Sequence, residues 1–443
     1  MGRRRRKRNL PTEPVEAEIL DLAHDGRGVA RVEGKVVFIH GALPGERVLF
    51  RYTARRRSRD EGIALEVLEA SPERVSPRCE HFGICGGCAL QHLDPAAQIR
   101  FKEQQLLEAL AHIGRVEPES VLPPMVGDSP WGYRRKARLG VKRVPKKGRV
   151  LVGFRERGSG YVAELERCHI LHPKVGQALL PLSELIGAMA APHRIPQIEV
   201  AMDDERCVLI FRHLDPLSEA DRQRLRDFGR AQGFHIYLQP GGPETVQPLD
   251  QPADLAYRLP DFDLAIHFEP GDFTQVNTDI NRRMVSRAVD LLDPDAQDQV
   301  LDLFCGVGNF TLPLATRAGH VTGVEGAAEL VARAAANAGR NGLENVDFHV
   351  ANLYEPQDQA PWAARRYTKA LLDPPRSGAF EVLPLLPRLG VERLVYVSCY
   401  PATLARDAGA LVHEHGYRLV SAGVMDMFPH TAHVESMALF EKA

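Results

Sequence analysis

Four of the seven cysteines in the chain have the most specific spacing in the sequence. Cys79, Cys85 and Cys88 form C-x5-C-G-G-C, and Cys168 follows eighty residues later within R-C-H-I. Four thiolates are the donor set of an iron–sulfur cluster or a tetrahedral zinc, and Gly86 and Gly87 let the backbone turn tightly around an ion. Spacing alone leaves both metals open. A second set of chemical groups falls late in the chain. Val300 to Phe304 is an apolar run leading into C-G-V-G-N-F-T, where Gly306 and Gly308 permit a turn that brings backbone amides towards a ligand. The run His320 to Val324 ends in Glu325, nineteen residues after Gly306, where an acid can accept hydrogen bonds from two ribose hydroxyls. Phe348 to Val350 leads to Asn352, Ala370 to Leu372 to Asp373, and Leu394 to Val397 to Ser398 and Cys399. Polar groups thus gather at the carboxyl ends of consecutive strands, where open α/β sheets bind ligands.

Alternating strands and helices from Val300 onward call for a parallel sheet, so the expected fold class is α/β for this part. Residues 12–70 instead alternate apolar and polar positions in short runs, Val15 to Leu20, Lys35 to Ile39, Val48 to Tyr52 and Ile63 to Leu68. Asp25-Gly26, Glu33-Gly34 and Pro44-Gly45 separate them, a pattern that predicts a small antiparallel barrel. Pro95 to His112 has helical periodicity. Between 130 and 265, strands such as Val150 to Phe154 and Cys207 to Phe211 mix with helices such as Val175 to Met189 and Glu219 to Gln232.

The 443 residues exceed a comfortable single core, and 44% hydrophobic residues without an apolar run near 18 residues fit a soluble, multidomain, cytoplasmic protein that spans no membrane. Seven cysteines are too sparse for a disulfide framework. Net charge is only −2, but it is segregated: Asp128 to Arg157 holds eleven Lys or Arg against two acids, and residues 1–70 hold fifteen against eleven, including Arg3 to Arg8. Two basic segments on an otherwise acidic chain suit a polyanion such as nucleic acid.

H-D-G-R-G-V-A-R together with G-A-L-P-G-E-R-V resembles a TRAM domain, an RNA-binding barrel. L-D-L-F-C-G-V-G-N-F, V-E-G, A-N-L, L-L-D-P-P-R and Y-V-S-C together resemble the class I methyltransferase fold; Thr311 stands where a dinucleotide loop needs its third glycine. Y-V-S-C-Y-P-A-T-L-A-R-D, M-F-P-H-T-A-H-V-E-S-M and T-Q-V-N at Thr274 to Asn277 closely resemble the RNA uracil-5-methyltransferase family, from about Val15 to the C-terminus. With the four cysteines and the barrel, the resemblance is closest to members acting on 23S ribosomal RNA. Tyr400 departs from the family, which usually has asparagine after its cysteine.

The resemblance implies Cys399 as the nucleophile that adds to uracil carbon 6 and Glu435 as the base that removes the carbon-5 proton. It implies Gln275, Phe304, Asn309, Glu325, Asn352 and Asp373 as the S-adenosyl-L-methionine site, and it turns the metal expectation towards a 4Fe–4S cluster on Cys79, Cys85, Cys88 and Cys168. The implied domains are a basic tail (1–11), a TRAM barrel (12–70), a central iron–sulfur α+β domain (73–92 and 125–268) and a methyltransferase domain (93–124 and 269–443). The implied partner is a single-stranded or loop uridine of 23S rRNA, met by a monomer. Cys207 and Cys305 read as small buried residues, His430 and His433 as hydrogen-bonded structural groups, and Phe273 either as an RNA-stacking ring or as packing under Gln275.

Overall fold

Glycine turns build the N-terminal barrel. The computed structural model describes residues 10–443, so the basic run Arg3 to Arg8 lies outside the described residues. Five strands, β1 (Val15–Leu22), β2 (Gly28–Val32), β3 (Lys35–His40), β4 (Arg47–Arg55) and β5 (Asp60–Glu69), close in the order β1-β2-β3-β5-β4. Glu33 (φ 52°) and Gly34 (φ 79°) form the tight turn between β2 and β3, a left-handed pair that matches the strand twist. Alternation along the strands points Ala17, Ile19, Ala30, Val37, Ile39, Val48 and Phe50 into one core. One expectation is corrected here: the barrel is not wholly antiparallel. β5 runs back along β4 and then closes the barrel beside β3 in parallel, Val37 opposite Asp60.

Glu46, in the loop before β4, is wholly buried. Its oxygens accept hydrogen bonds from the amides of Leu43 (2.8 Å) and Ser71 (3.3 Å) and from the Arg74 guanidinium, which also donates to Gly41 O at 2.7 Å. Burial alone would raise the Glu46 carboxyl, but Arg74 and the two amides outweigh it and hold it below the usual carboxylate range.

The chain forms two compact units. The first comprises residues up to Lys102 with Arg155–Tyr161 and Pro429–His433; the second comprises Glu103–Phe154, Val162–Phe428 and Val434–Ala443. In the second, an eight-stranded sheet runs Val346–Val350, His320–Glu325, Gln299–Leu303, Lys369–Leu372, Arg393–Ser398, Glu435–Lys442, Tyr417–Met425 and Ser120–Val121. The first five are parallel, and Glu435–Lys442 joins them antiparallel. Leu371, Leu372, Val395, Tyr396 and Val397 are buried, as strands covered on both faces require. Helix Thr278–Leu292 is capped by the Asn277 side chain and buries Ile280, Met284, Val285, Ala288, Val289 and Leu292 at helical spacing. The same unit holds a six-stranded sheet ordered Gln247–Pro248, His235–Gln239, Cys207–Arg212, Gln197–Met202, Ala137–Val144 and Arg149–Gly153, with helix Glu219–Gln232 beside it.

The single helix expected over Val175 to Met189 is two, Pro173–Gly176 and Leu179–Gly187. Pro181 explains the break: it has no N–H for a helical bond to Gln177, and it is tolerated only in the first turn of the second helix. Among the described residues, no helix is long and apolar enough to cross a membrane.

Replacing Glu46 by glutamine is expected to cost about 2–4 kcal/mol at neutral pH, because Arg74 loses its counter-charge while the amides keep an acceptor. Because the folded carboxyl titrates below its unfolded value of about 4.3, its stabilisation is complete above that pH and fades as the medium is acidified further. Chemical denaturation at pH 7 and between pH 5 and 3 measures both effects; equal midpoints for parent and variant would refute the role.

Candidate active site

The strand Gln299–Leu303 ends where Phe304 takes φ 65°, Gly306 φ 55° and Gly308 φ 94°. A side chain on Gly308 would meet Leu312 at 2.5 Å, so the turn needs glycine there. The amides of Phe304 and Cys305 donate to Val324 O (2.9 and 3.1 Å), locking the turn onto the neighbouring strand. Gly306 N donates to Glu325 Oε2 at 3.2 Å, and Gly326 N and Ala327 N donate to Oε1 at 2.7 and 3.1 Å. The carboxylate is therefore fixed by backbone alone, and Oε2 keeps a lone pair for a ribose hydroxyl.

Phe304 is half-buried, with its ring centroid 6.0 Å from that of Tyr354, so it lines the strand ends rather than filling the core. An aromatic residue at positive φ is strained, a feature that concentrates at functional sites. Tyr354 was not singled out from the sequence; its hydroxyl lies 2.7 Å from Ser377 Oγ. Asn352 is exposed at the end of its strand and bonds Glu355 and the Tyr354 amide. Asn309 is more constrained than its motif implied. Its Oδ1 accepts from Tyr257 Oη (2.8 Å) and Asn281 Nδ2 (3.0 Å), and its Nδ2 donates to Asn281 Oδ1 at 3.0 Å. Gln275 is half-buried in the segment leading to the Asn277 cap.

Beneath the turn, Asp302 is fully buried and accepts the Thr311 hydroxyl. Burial pushes its carboxyl up to about 8, with further upward pressure from Asp373 and Glu325 against the pull of Thr311. The sequence shows Asp302 only as one letter of the glycine motif; its burial could not be read there. Thr311, seen as a misfit to dinucleotide loops, is its hydroxyl partner.

The nucleophile and base candidates meet through strand register. Ser398 pairs with Ser436 across antiparallel strands, and Ser436 Oγ donates to Ser398 O at 3.3 Å. The ladder ends there, with Cys399 and Glu435 next along the two strands; Glu435 is only 3% exposed, pairs on its other side with Met425 and acts electrostatically on the Cys399 thiol. Cys399 is half-buried. Burial first, then the negative charges of Glu435 and Asp373, push its thiol up to about 11, with Arg376 opposing them. Asp373 keeps some solvent contact, yet burial pushes its carboxyl up to about 7. Arg376, the last letter of D-P-P-R, is thus the cation acting on the thiol. Tyr400 exposes its side chain and contributes only backbone, its N–H and O meeting Ser398 Oγ at 3.2 Å. Cys207 and Cys305 are buried, and burial drives both thiols up, Cys207 to about 12.

In the first unit, Cys79 O accepts from Phe82 N (3.0 Å), His81 O from Cys85 N (2.9 Å), and Cys85 Sγ from Gly87 N at 3.4 Å. Arg157 lies against Cys88, donating to its O at 2.8 Å, and is acted on by both Cys85 and Cys88, while Cys79 acts on Cys85. Thiols held in a glycine-rich loop with an amide donating to sulfur are donor chemistry that fits a thiolate-bound metal. Among the described residues, no group of three or more His, Cys, Asp or Glu is drawn together as metal ligands are. Cys168 belongs to the second unit, where its N–H donates to Gly176 O at 3.0 Å; a side chain on Gly176 would meet Cys168 O at 2.3 Å. In the first unit His430 is buried, and desolvation followed by Lys102 lowers its ring to about 4.

The basic run does not act as one surface. Arg135 reaches Asp203 O and Asp204, Lys136 reaches Pro270 O and Asp272 O, and burial lowers both cations. Arg138 pairs with Glu199 at 3.0 Å, whereas Lys142, Arg143 and Lys146 are exposed. Phe273, 70% exposed, does not pack under Gln275.

A family model described as tRNA (Uracil-5-)-methyltransferase matches residues 203–443, and one described as TRAM domain matches residues 11–49. The 23S rRNA (uracil(1939)-C(5))-methyltransferase RlmD of Alkalilimnicola ehrlichii is 57% identical, covering 100% of this chain and 99% of its own. The protein of the same description from Methylococcus capsulatus is 53% identical, covering 100% of both chains. The crystal structure of Pyrococcus abyssi tRNA (uracil-54, C5)-methyltransferase in complex with S-adenosyl-L-homocysteine matches with a TM-score of 0.73 at 24% identity, covering 96% of this chain and 100% of that one; at this identity the likeness speaks for the fold.

Alkylation of Cys399, followed by peptide mass spectrometry across pH, is expected to have its midpoint near 11 in the ligand-free protein. Glu435→Gln removes one of the charges that raise the thiol, so its midpoint should move down. A midpoint that stays put would show that Glu435 does not act on the thiol.

Proposed function

The chain belongs to the tRNA (uracil-5-)-methyltransferase family, and from that premise we propose that it transfers the methyl group of S-adenosyl-L-methionine to carbon 5 of a uridine in 23S ribosomal RNA, forming 5-methyluridine. Full-length identity of 52–57% to curated relatives named for uracil 1939 favours that nucleotide over a transfer RNA target. The N-terminal barrel supports RNA as the partner. The observation that carries the chemistry is the meeting of Cys399, Glu435 and Asp373 at the ends of three neighbouring strands.

Carbon 5 of uracil is a weak nucleophile. Addition of the Cys399 sulfur to carbon 6 forms an S–C bond and moves the ring electrons onto oxygen 4, so that carbon 5 becomes enolate-like. When bound, S-adenosyl-L-methionine supplies an electrophilic methyl group and a positive charge. Arg376 already favours the thiolate against the burial and the two carboxylates that raise it. Once carbon 5 carries the methyl group, Glu435 takes its proton, the electrons of that C–H bond restore the ring double bond, and the Cys399 sulfur leaves as thiolate. Gln275, Phe304, Asn309, Glu325, Asn352 and Asp373 bind the methyl donor in this reading. The fixed Glu325 carboxylate supports it most directly.

Cys79, Cys85, Cys88 and Cys168 hold a 4Fe–4S cluster in the same reading. The amide that donates to Cys85 Sγ and the all-thiol donor set support it. The cluster would tie chain segments together, since no step of the methylation moves an electron to or from the protein.

Two measurements test these assignments. Cys399→Ala should abolish both methylation and any protein–RNA adduct, whereas Glu435→Gln should still add and methylate but fail to eliminate, leaving methylated RNA bound to Cys399 through denaturation. A Glu435→Gln enzyme that turns over like the parent would remove Glu435 from the role of base. Protein purified without oxygen should contain about four iron atoms per chain, lowered in Cys168→Ser. Stoichiometric zinc without iron would replace the cluster assignment.

A further inference from the structure

The hairpin of Leu255–Leu259 and Leu264–Phe268 is a sheet of only two strands, too few to be stable alone, and side chains close both its edges. On one edge Ala265 and His267 turn their backbone groups outwards. Asn341 accepts the Ala265 N–H (3.0 Å) and donates to its O (2.9 Å), and Asn337 does the same for His267 at 3.0 and 2.9 Å. The two asparagines stand four residues apart at the end of helix Ala328–Arg340, so they meet the hairpin from one side of the helix. On the other edge the carboxylates of Asp203 and Asp204 accept the amides of Ala256 (3.1 Å) and Arg258 (3.2 Å), and Arg282 donates to Arg258 O at 3.0 Å. All these residues lie within the second unit.

Held in this way, the hairpin reaches the glycine turn at two points. Asn337, wholly buried, also donates to Val307 O at 3.1 Å, between Gly306 and Gly308. Tyr257, buried as well, donates its hydroxyl to Asn309 Oδ1 at 2.8 Å. Asn281 Nδ2 donates to the same oxygen, and Asn281 Oδ1 takes one N–H of Asn309. Among the described residues this leaves the amide its second N–H, so Asn309 can offer a ligand a donor and no acceptor. The bonds of Phe304 and Cys305 to Val324 O fix the start of the turn, whereas the Asn309 side chain is oriented from the hairpin and from helix Thr278–Leu292. The Tyr257 ring packs separately, its centroid 6.0 Å from that of Phe268.

We infer that the hairpin braces the methyl-donor loop and that Tyr257 is a positioning residue, setting the affinity for S-adenosyl-L-methionine by holding the Asn309 amide with its N–H towards the ligand. The inference rests on the reading of Asn309 as a methyl-donor contact given above. Without the hydroxyl, Asn309 Oδ1 loses one of its two partners and the amide can turn, so the ligand has to select the competent orientation. That loss is shared by ground state and transition state, and it falls on KM for the methyl donor rather than on kcat.

The test uses full-length enzyme purified without oxygen. Calorimetry measures binding of S-adenosyl-L-homocysteine, which has no methyl group to transfer, and steady-state methylation of a 23S rRNA fragment that contains the target uridine gives KM for each substrate. Tyr257→Phe is expected to weaken S-adenosyl-L-homocysteine and to raise KM for S-adenosyl-L-methionine about fivefold, with kcat and KM for RNA within about twofold of the parent. Asn309→Ala should weaken the ligand at least as much, and adding Tyr257→Phe to it should cost nothing further, because the hydroxyl acts through that amide. Parental affinity in Tyr257→Phe, additive losses in the double variant, or kcat and KM for RNA changing as much as KM for the methyl donor would overturn the inference. If Asn309→Ala binds like the parent, the reading of Asn309 fails and the inference with it; if Tyr257→Phe alone does, that reading stands and the brace is lost. Should Asn309→Ala not fold, Asn341→Ala, which frees the hairpin edge away from the turn, takes its place: weaker binding keeps the brace, and parental binding removes it.

Discussion

The pairing of Glu435–Lys442 against Arg393–Ser398 is the constraint on which the proposed chemistry depends. An antiparallel ladder has a period of two, so a slip of one residue would turn Glu435 to the opposite face of the sheet. The register is secured by burial on both sides. Val395, Tyr396 and Val397 on one strand and Met437, Ala438, Leu439 and Phe440 on the other are all buried. Hydrophobic packing along the two strands thus fixes the register that brings Glu435 towards Cys399.

The same burial sets the electrostatics. Asp302, Asp373, Glu325 and Glu435 lie close enough to act on one another or on Cys399 in poorly solvated surroundings. Burial first, and then the charges of Glu435 and Asp373, raise the Cys399 thiol, and Arg376 opposes them.

The first unit follows a different logic. Its barrel carries a buried polar fastening, Glu46 and Arg74, which joins the loop before β4 to the segment after β5. The cysteine loop is likewise held by backbone bonds from sequence-distant Arg155 and Arg157, inserted into this unit from the middle of the chain. Pro429–His433 is inserted in the same way from near the C-terminus, so segments on either side of the methyltransferase motifs are anchored outside the unit that contains those motifs.

The amino-acid order alone determined the elements with strong local signals. Glycine turns and alternation gave the barrel strands, apolar runs ending in polar residues gave the parallel strands with Glu325, Asn352, Asp373 and Cys399 at their carboxyl ends, and the helix Glu219–Gln232 was legible to the residue. These follow from backbone conformation and periodicity, which act over a few residues. Tertiary structure decided what depends on distant partners. It set β3 and β5 in parallel, buried Arg135 and Lys136 under backbone carbonyls instead of offering them to RNA, and locked Asn309 between Tyr257 and Asn281. It also raised Asp302, Asp373 and Cys399, because the free energy of a charge depends on the solvent and charges around it, which the packed chain creates and no local run of residues contains.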